Sequence, residues 1–248
     1  MDLPPPGDIA LVVAGALAAG FVNGLSGTGY ALVSLGFWLH AMSPVTAAPL
    51  VAFCAVSGHI RSLPRIWSGV TWSRLWPFMV GGLIGVPIGT ALLGFVQVRP
   101  LKVGVGVLLL LYCSWMGFVR RPPVVAGGGR LADGAAGIGG GVLGGMASLS
   151  GPIPVIWVQL RGWNMQAQRG VSQPYNMSVL ALSLVSAGIA GRLDRTFVIW
   201  AAIALPMTLI GSHVGLLLYG RINDAQFRRI VIVLLSLSGL TLIGSSLV

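Results

Sequence analysis

Apolar positions gather into eight runs along the chain, at approximately 9–38, 43–60, 75–95, 101–119, 131–160, 171–190, 197–220 and 227–247. Most are near the ~20 residues that a helix needs to cross a hydrocarbon core of ~30 Å. The first and fifth are longer, about 30 residues, or about 45 Å if helical throughout. That is too long for one ordinary crossing and too short for two. Both are interrupted by small residues: Gly24-Leu-Ser-Gly-Thr-Gly29 in the first, and Gly139-Gly-Gly, Gly144-Gly145 and Ser150-Gly-Pro152 in the fifth. Broken or re-entrant helices reconcile the length with the composition. The short alternating strands of a membrane barrel are absent from the pattern. The expected fold is therefore an all-α integral membrane protein.

The two halves echo each other. Leu25-Ser26-Gly27 recurs as Leu149-Ser150-Gly151, and Gly85, Gly89 and Leu92-Leu93 recur as Gly211, Gly215 and Leu217-Leu218. These spacings predict a single membrane transport domain over 1–248, made of repeats at 9–119 and 131–247. The basic residues test the topology. If every run crosses once, Lys and Arg divide almost evenly between the two sides. If runs one and five each enter and return on one side, with the N-terminus outside, eleven basic residues lie inside: Arg61, Arg65, Arg74, Arg120, Arg121, Arg130, Arg161, Arg169, Arg221, Arg228 and Arg229. Four lie outside, Arg99, Lys102, Arg192 and Arg195, which is the bias that orients membrane proteins. Each half is then a broken hairpin plus three crossings, an odd number, so the second half is inverted relative to the first.

Composition strengthens the membrane reading. Charged residues make up 8% of 248 positions and mean hydropathy is +0.89, whereas a soluble domain carries about a quarter of its residues as charges. The formal charge of +10 lies between the apolar runs, so it reads as orientation in the lipid bilayer and not as a nucleic-acid surface. Cys54 and Cys113 sit in apolar runs without metal or redox spacing and read as buried thiols. Trp67, Trp72 and Trp76 read as interfacial anchors. The start, Met1 to Asp8, lacks a basic n-region, so the first apolar segment is expected to be retained.

Candidate chemistry concentrates at the two interruptions. A helix break frees N–H groups and the positive end of a helix dipole, which together receive an anion. Gly24, Gly27 and Gly29 permit close backbone approach, and Asn23, Ser26 and Thr28 bring side-chain donors. In the second half, Ser150 and Gly151 precede Pro152, a residue suited to a helix's first turn. Small residues packing helix on helix are the competing explanation. Ser57, His59 and Arg61 flank the end of run two, and Arg169, Gln173 and Asn176 open run six. The arginines either guide and bind an anion or anchor the chain at the interface. His213 either titrates during transport or is a neutral, hydrogen-bonded histidine.

Enzyme chemistry finds little support. Gly24-Leu-Ser-Gly27 superficially resembles the nucleophile motif of rhomboid intramembrane proteases, with His213 as base, but a single nucleophile leaves Ser150-Gly151 idle. No nucleotide-binding loop, HExxH site or Cys/His metal spacing occurs in the sequence. The expectation is a non-enzymatic chain with no cofactor and no metal, driven by substrate gradients, a coupling ion or a partner. A second copy of the chain stays open as such a partner.

At these same residues the sequence resembles the sulfite exporter TauE/SafE family. The resemblance rests on Gly144-Gly-Met-Ala-Ser-Leu-Ser-Gly-Pro152, then Ile153-Pro-Val-Ile-Trp-Val-Gln-Leu-Arg-Gly162 and Arg169-Gly170. In the first half it rests on Gly20-Phe-Val-Asn-Gly-Leu-Ser-Gly-Thr-Gly29, Pro44 and Ser57-Gly-His-Ile-Arg61. Gly82-Leu-Ile-Gly85, Gly89, Gly211 and Gly215 extend it over nearly the whole chain. The family more often has a glycine-richer first stretch with a nearby proline, and Tyr30 here would narrow the site. The resemblance implies a multi-pass permease of the cell inner membrane that moves small sulfur-containing anions such as sulfite or organosulfonates, usually outward. The competing class is a non-transport membrane scaffold or assembly subunit that uses its glycine-rich faces only to pack partners.

Overall fold

A computed structural model describes residues 4–66, 69–95, 97–119, 123–125, 127–218 and 224–247. Ten helices occur among them: α1 (Pro6–Ser26), α2 (Tyr30–Ala41), α3 (Pro44–Ile66), α4 (Trp72–Leu93), α5 (Val98–Phe118), α6 (Gly129–Ala147), α7 (Pro152–Leu160), α8 (Met165–Ile189), α9 (Arg195–Leu218) and α10 (Asp224–Leu247). Four segments among the described residues are long and apolar enough to cross a membrane: Pro6–Leu25, Trp72–Leu93, Arg99–Phe118 and Arg195–Leu218. The chain is an all-α, multi-span bundle. Its outer faces remain apolar, with Leu83, Ile84, Leu111 and Leu217 all more than half exposed, as expected where lipid replaces water.

The two long apolar runs each split into two helices. The first breaks at 27–29, between α1 and α2, and the second at 148–151, between α6 and α7. At 12 residues α2 spans about 18 Å, and at 9 residues α7 spans about 14 Å. Neither reaches across ~30 Å of hydrocarbon. The glycines at 139–141 and 144–145 do not interrupt anything; they lie inside continuous α6. Nor do the two Leu-Ser-Gly triplets occupy equivalent places. Leu25 and Ser26 end α1, whereas α6 has already ended at Ala147 before Leu149 begins.

The glycines of α6 and of α1 are packing surfaces. A Cβ on Gly85 would lie 2.4 Å from the Ile138 carbonyl, and one on Gly145 would lie 2.3 Å from the Val86 carbonyl, so α4 and α6 touch backbone to backbone. The same contact joins α1 to α9, where Cβ atoms on Gly24 and Gly215 would lie 2.3 Å from the carbonyls of Ser212 and Phe21. Small residues four apart allow this approach, and van der Waals contact then holds helices that lipid does not push together. Further pairs are α5 with α10 and α3 with α8. Gly24 is therefore spent on helix packing, not on approach to a ligand.

Buried side chains form two clusters. The larger draws mainly on α1, α2, α3, α5, α9 and α10, with Trp38, Leu50 and Leu109 fully buried in it, and also takes in Ala147 of α6, Leu149 between α6 and α7, and Leu180 of α8. The smaller joins α4, α6, α7 and α8 through Phe78, Val86 and Tyr175. Cys54 and Cys113 are both buried free thiols. At one end of the smaller cluster, Trp157 Nε1 donates to Asp133 Oδ1 at 2.7 Å, and Arg161 Nε lies 3.5 Å from the same oxygen. Arg161 makes an ion pair there without hydrogen-bond geometry at Nε, and with the two side chains 18% and 5% exposed the cost of desolvating both charges offsets much of their attraction. The Trp157 bond matters more. Asp133→Ala should destabilise the protein by about 1–3 kcal/mol, because it leaves a buried N–H unmet, while Asp133→Asn keeps the acceptor and should cost a fraction of that. Thermal unfolding in detergent distinguishes them, and equal losses would assign the stability to the ion pair.

Candidate functional site

Both helix breaks depend on left-handed backbone. Gly27 closes α1 at φ 71°, its N–H donating to the Asn23 carbonyl, and Gly29 at φ 87° precedes α2. This is the common glycine cap at a helix C-terminus. The second break turns at Ser148, φ 56°, the one non-glycine residue with positive φ among the described residues. Its Oγ donates to the Ala48 carbonyl of α3 at 2.7 Å, and its N–H reaches the Gly144 carbonyl at 2.8 Å. These bonds offset the roughly 1–2 kcal/mol that a side chain costs in this conformation. Ser148 was not singled out from the sequence, where nothing separates it from Ser150 two positions on.

The two breaks meet. One cavity is lined by Thr28, Gly29 and Tyr30 from the first and by Ser150, Gly151 and Pro152 from the second. His59 of α3, Tyr112 of α5 and Asn176 of α8 complete its polar wall. The first turns of α2 and α7 both adjoin this space, and neither helix has a side-chain N-cap. The leading N–H groups of α2 and the positive dipole ends of both helices are thus available to negative charge, whereas in the first turn of α7 Pro152 and Pro154 carry no N–H and only that of Ile153 remains. Among the described residues, no Asp, Glu, Lys or Arg lines the cavity.

Three buried amides surround the breaks. Gln173, 4% exposed, lies across Gly27, so that a Cβ there would fall 1.4 Å from Gln173 Nε2. Asn23 lies against α3, its Nδ2 2.9 Å from where a Cβ on Gly58 would be, and Asn176 approaches Gly151 in the same sense at 3.6 Å. In each amide the oxygen, Asn23 Oδ1, Gln173 Oε1 or Asn176 Oδ1, has no hydrogen-bond partner among the described residues. Buried polar groups are seldom left so, and a half-turn of an amide presents its NH₂ in place of its oxygen.

Of the residues expected from the sequence, Thr28, His59, Ser150, Gly151 and Asn176 line the cavity, while Asn23, Gly27 and Gln173 frame its breaks. Ser57 does not join them, because its Oγ donates to the Phe53 carbonyl of its own helix at 2.9 Å. Arg169 is half-buried one turn before Gln173 on α8 and is not part of the cavity lining. The side chains of Ser26 and Arg61 lie outside the described residues. His213 is exposed on α9. Tyr112 was missed: a lone tyrosine in an apolar run carries no signal that it will face a cavity. Tyr30 is fixed by a 2.7 Å hydrogen bond to Thr208 of α9, which seats the start of α2 on the α1–α9 pair.

The chain is a multi-span helical membrane protein in which two helix breaks face one cavity. Residues 12–242 match the family described as Sulfite exporter TauE/SafE, and the chain belongs to that family. No curated protein and no solved structure gives a significant match.

Proposed function

We propose that this chain is a secondary permease of the cell inner membrane that moves small sulfur-containing anions, such as sulfite or organosulfonates, outward. The observation that carries the reading is the meeting of both helix breaks at one cavity with polar side chains and, among the described residues, no lining carboxylate. An anion there is held by N–H groups, hydroxyls and amides in place of a full counter-charge. Binding of that kind is selective for sign yet weak enough to release on the far side, and it needs no covalent step. Arg169, Arg61 and the other basic residues act at longer range, drawing anions toward the membrane surface.

Movement follows from two inverted halves, 9–119 and 131–247, each with a broken, re-entrant hairpin. The packing supports this arrangement, because α1 meets α9 across glycines as α6 meets α4, and α3 meets α8. Exchanging each helix with its counterpart five places along maps these contacts onto one another. The cavity also draws on α2, α3 and α5 from around the larger core and on α7 and α8 from beside the smaller one. Rocking of one body against the other would open it alternately to each side, with both termini outside.

Labelled sulfite flux in proteoliposomes, with and without a proton gradient, tests the reading. Saturable flux supports the carrier, and the gradient response reports coupling. Failure with sulfite and with a panel of organosulfonates would leave the scaffold reading in its place. Asn176→Asp should depress anion flux roughly a hundredfold, since a carboxylate ~5 Å from the cargo at an effective dielectric of ~20 costs about 3 kcal/mol. Initial-rate kinetics check this. Wild-type flux in that variant would move the anion away from the cavity.

A further inference from the structure

A second cavity adjoins the first. Its walls are almost wholly apolar, with Val22, Val33, Met116, Val231 and Leu235 among them. The two cavities share four residues: Thr28, Gly29, Leu32 and Tyr112. On one side of this shared wall lie His59, Ser150 and Asn176. On the other, Thr28 and Tyr112 are the only polar side chains of the lining among the described residues. Thr28 and Tyr112 therefore stand between the two cavities.

Tyr112 differs from Tyr30 and Tyr175, the other tyrosines among the described residues. The Tyr30 hydroxyl is paired with Thr208 Oγ1 at 2.7 Å, and the Tyr175 hydroxyl donates to the Gly137 carbonyl at 2.7 Å. Both are anchors. Among the described residues, no hydrogen bond occupies the Tyr112 hydroxyl. Tyr112 also stands on α5, outside both broken hairpins. A half-buried phenol that anchors nothing, at the boundary between a cavity that carries several polar side chains and an almost wholly apolar one, can donate to a passing anion and close the opening with its ring.

We propose that Tyr112 is the specificity-determining residue of the permeation path. Its ring, with Leu32, sets the size of the opening between the polar chamber and the apolar vestibule, and its hydroxyl, with Thr28, receives the anion as it leaves the donors of the helix breaks. The proposal rests on the permease reading and adds to it a filter that selects small anions with exposed oxygens over bulkier ones.

The test compares Tyr112→Phe and Tyr112→Ala. In proteoliposomes, Tyr112→Phe should raise KM for sulfite roughly tenfold, as loss of a donor to a charged partner does, with maximal flux little changed. Tyr112→Ala should raise the ratio of benzenesulfonate to sulfite flux by about tenfold, the scale on which pocket size discriminates. A measurement independent of transport uses Ser150→Cys in a Cys54→Ala, Cys113→Ala chain, labelled in sealed vesicles by an impermeant anionic methanethiosulfonate from each face in turn. Tyr112→Ala should speed labelling from the slower face about tenfold, and Tyr112→Phe should not. Unchanged labelling in Tyr112→Ala overturns the partition. A wild-type flux ratio in Tyr112→Ala, in a protein that does carry sulfite, overturns the selectivity role. No flux of either anion in wild type overturns the permease reading alone, and faster labelling in Tyr112→Ala then still supports the partition.

Discussion

Gly27→Ala is expected to cut saturable flux by about tenfold or more while leaving a folded, monodisperse protein. Gly27 sits at φ 71°, where a side chain costs roughly 1–2 kcal/mol, a loss that a bundle of this size tolerates. The larger consequence is local. The new methyl would fall 1.4 Å from Gln173 Nε2 and 2.4 Å from its Cδ, so the amide must swing away from the break. Gln173 is buried, and its oxygen has no other partner among the described residues, so no second position is prepared for it. Flux should drop by at least about tenfold, the scale set by losing one hydrogen bond to a charged cargo. A double variant isolates the cause. With Gln173→Ala present, the clash is gone and only backbone strain remains, so Gly27→Ala should add little further loss of flux. Contacting residues that share one role give such non-additive cycles. Fully multiplicative losses would show that Gly27 acts through the backbone alone and that Gln173 does not seat on the break.

The sequence made the membrane class legible because lipid removes ambiguity: runs of ~20 apolar residues without charge have few other uses. The places where the long runs break were legible only in part. Gly27 and Gly29 are in the first break as expected, yet the denser glycines at 139–145 form an unbroken helix. Glycine serves a tight turn and a close helix contact equally well, and only the partner decides which. For Gly141 and Gly145 that partner is α4, more than fifty residues away in the chain. The candidate residues fared according to the range of their contacts. Thr28, Ser150 and Asn176 belong to or face the breaks and reached the cavity, whereas Ser57 satisfied itself within its own helix turn. Tyr112 and Ser148 were invisible because their roles come from the approach of α5 and α3 to distant segments, which no local spacing encodes.

A single methyl group at the α4–α6 seam should have a large effect on folding. A Cβ on Gly89 would lie 2.0 Å from the Val142 carbonyl oxygen and 3.0 Å from the Met146 nitrogen. These are backbone atoms of a hydrogen-bonded helix and cannot turn aside as a side chain can. Relief requires the two helices to separate along their length, which also loosens the contacts at Gly81, Gly85, Gly137, Gly141 and Gly145. With little hydrophobic force between helices in lipid, that close contact is the main attraction holding them. Gly89→Ala should therefore exceed the usual 1–3 kcal/mol of an overpacked core and should abolish the monodisperse peak on size exclusion. Gly117→Ala serves as the control, because nothing lies within 4 Å of its Cβ position, and alanine is the better helix former by about 1 kcal/mol. The same change at Gly24, 2.3 Å from the Ser212 carbonyl on the α1–α9 seam, should match Gly89→Ala. If Gly89→Ala and Gly117→Ala yield equally stable protein, the helices are not held by backbone contact, and the rigid body that the permease reading needs would have to be sought elsewhere in the bundle.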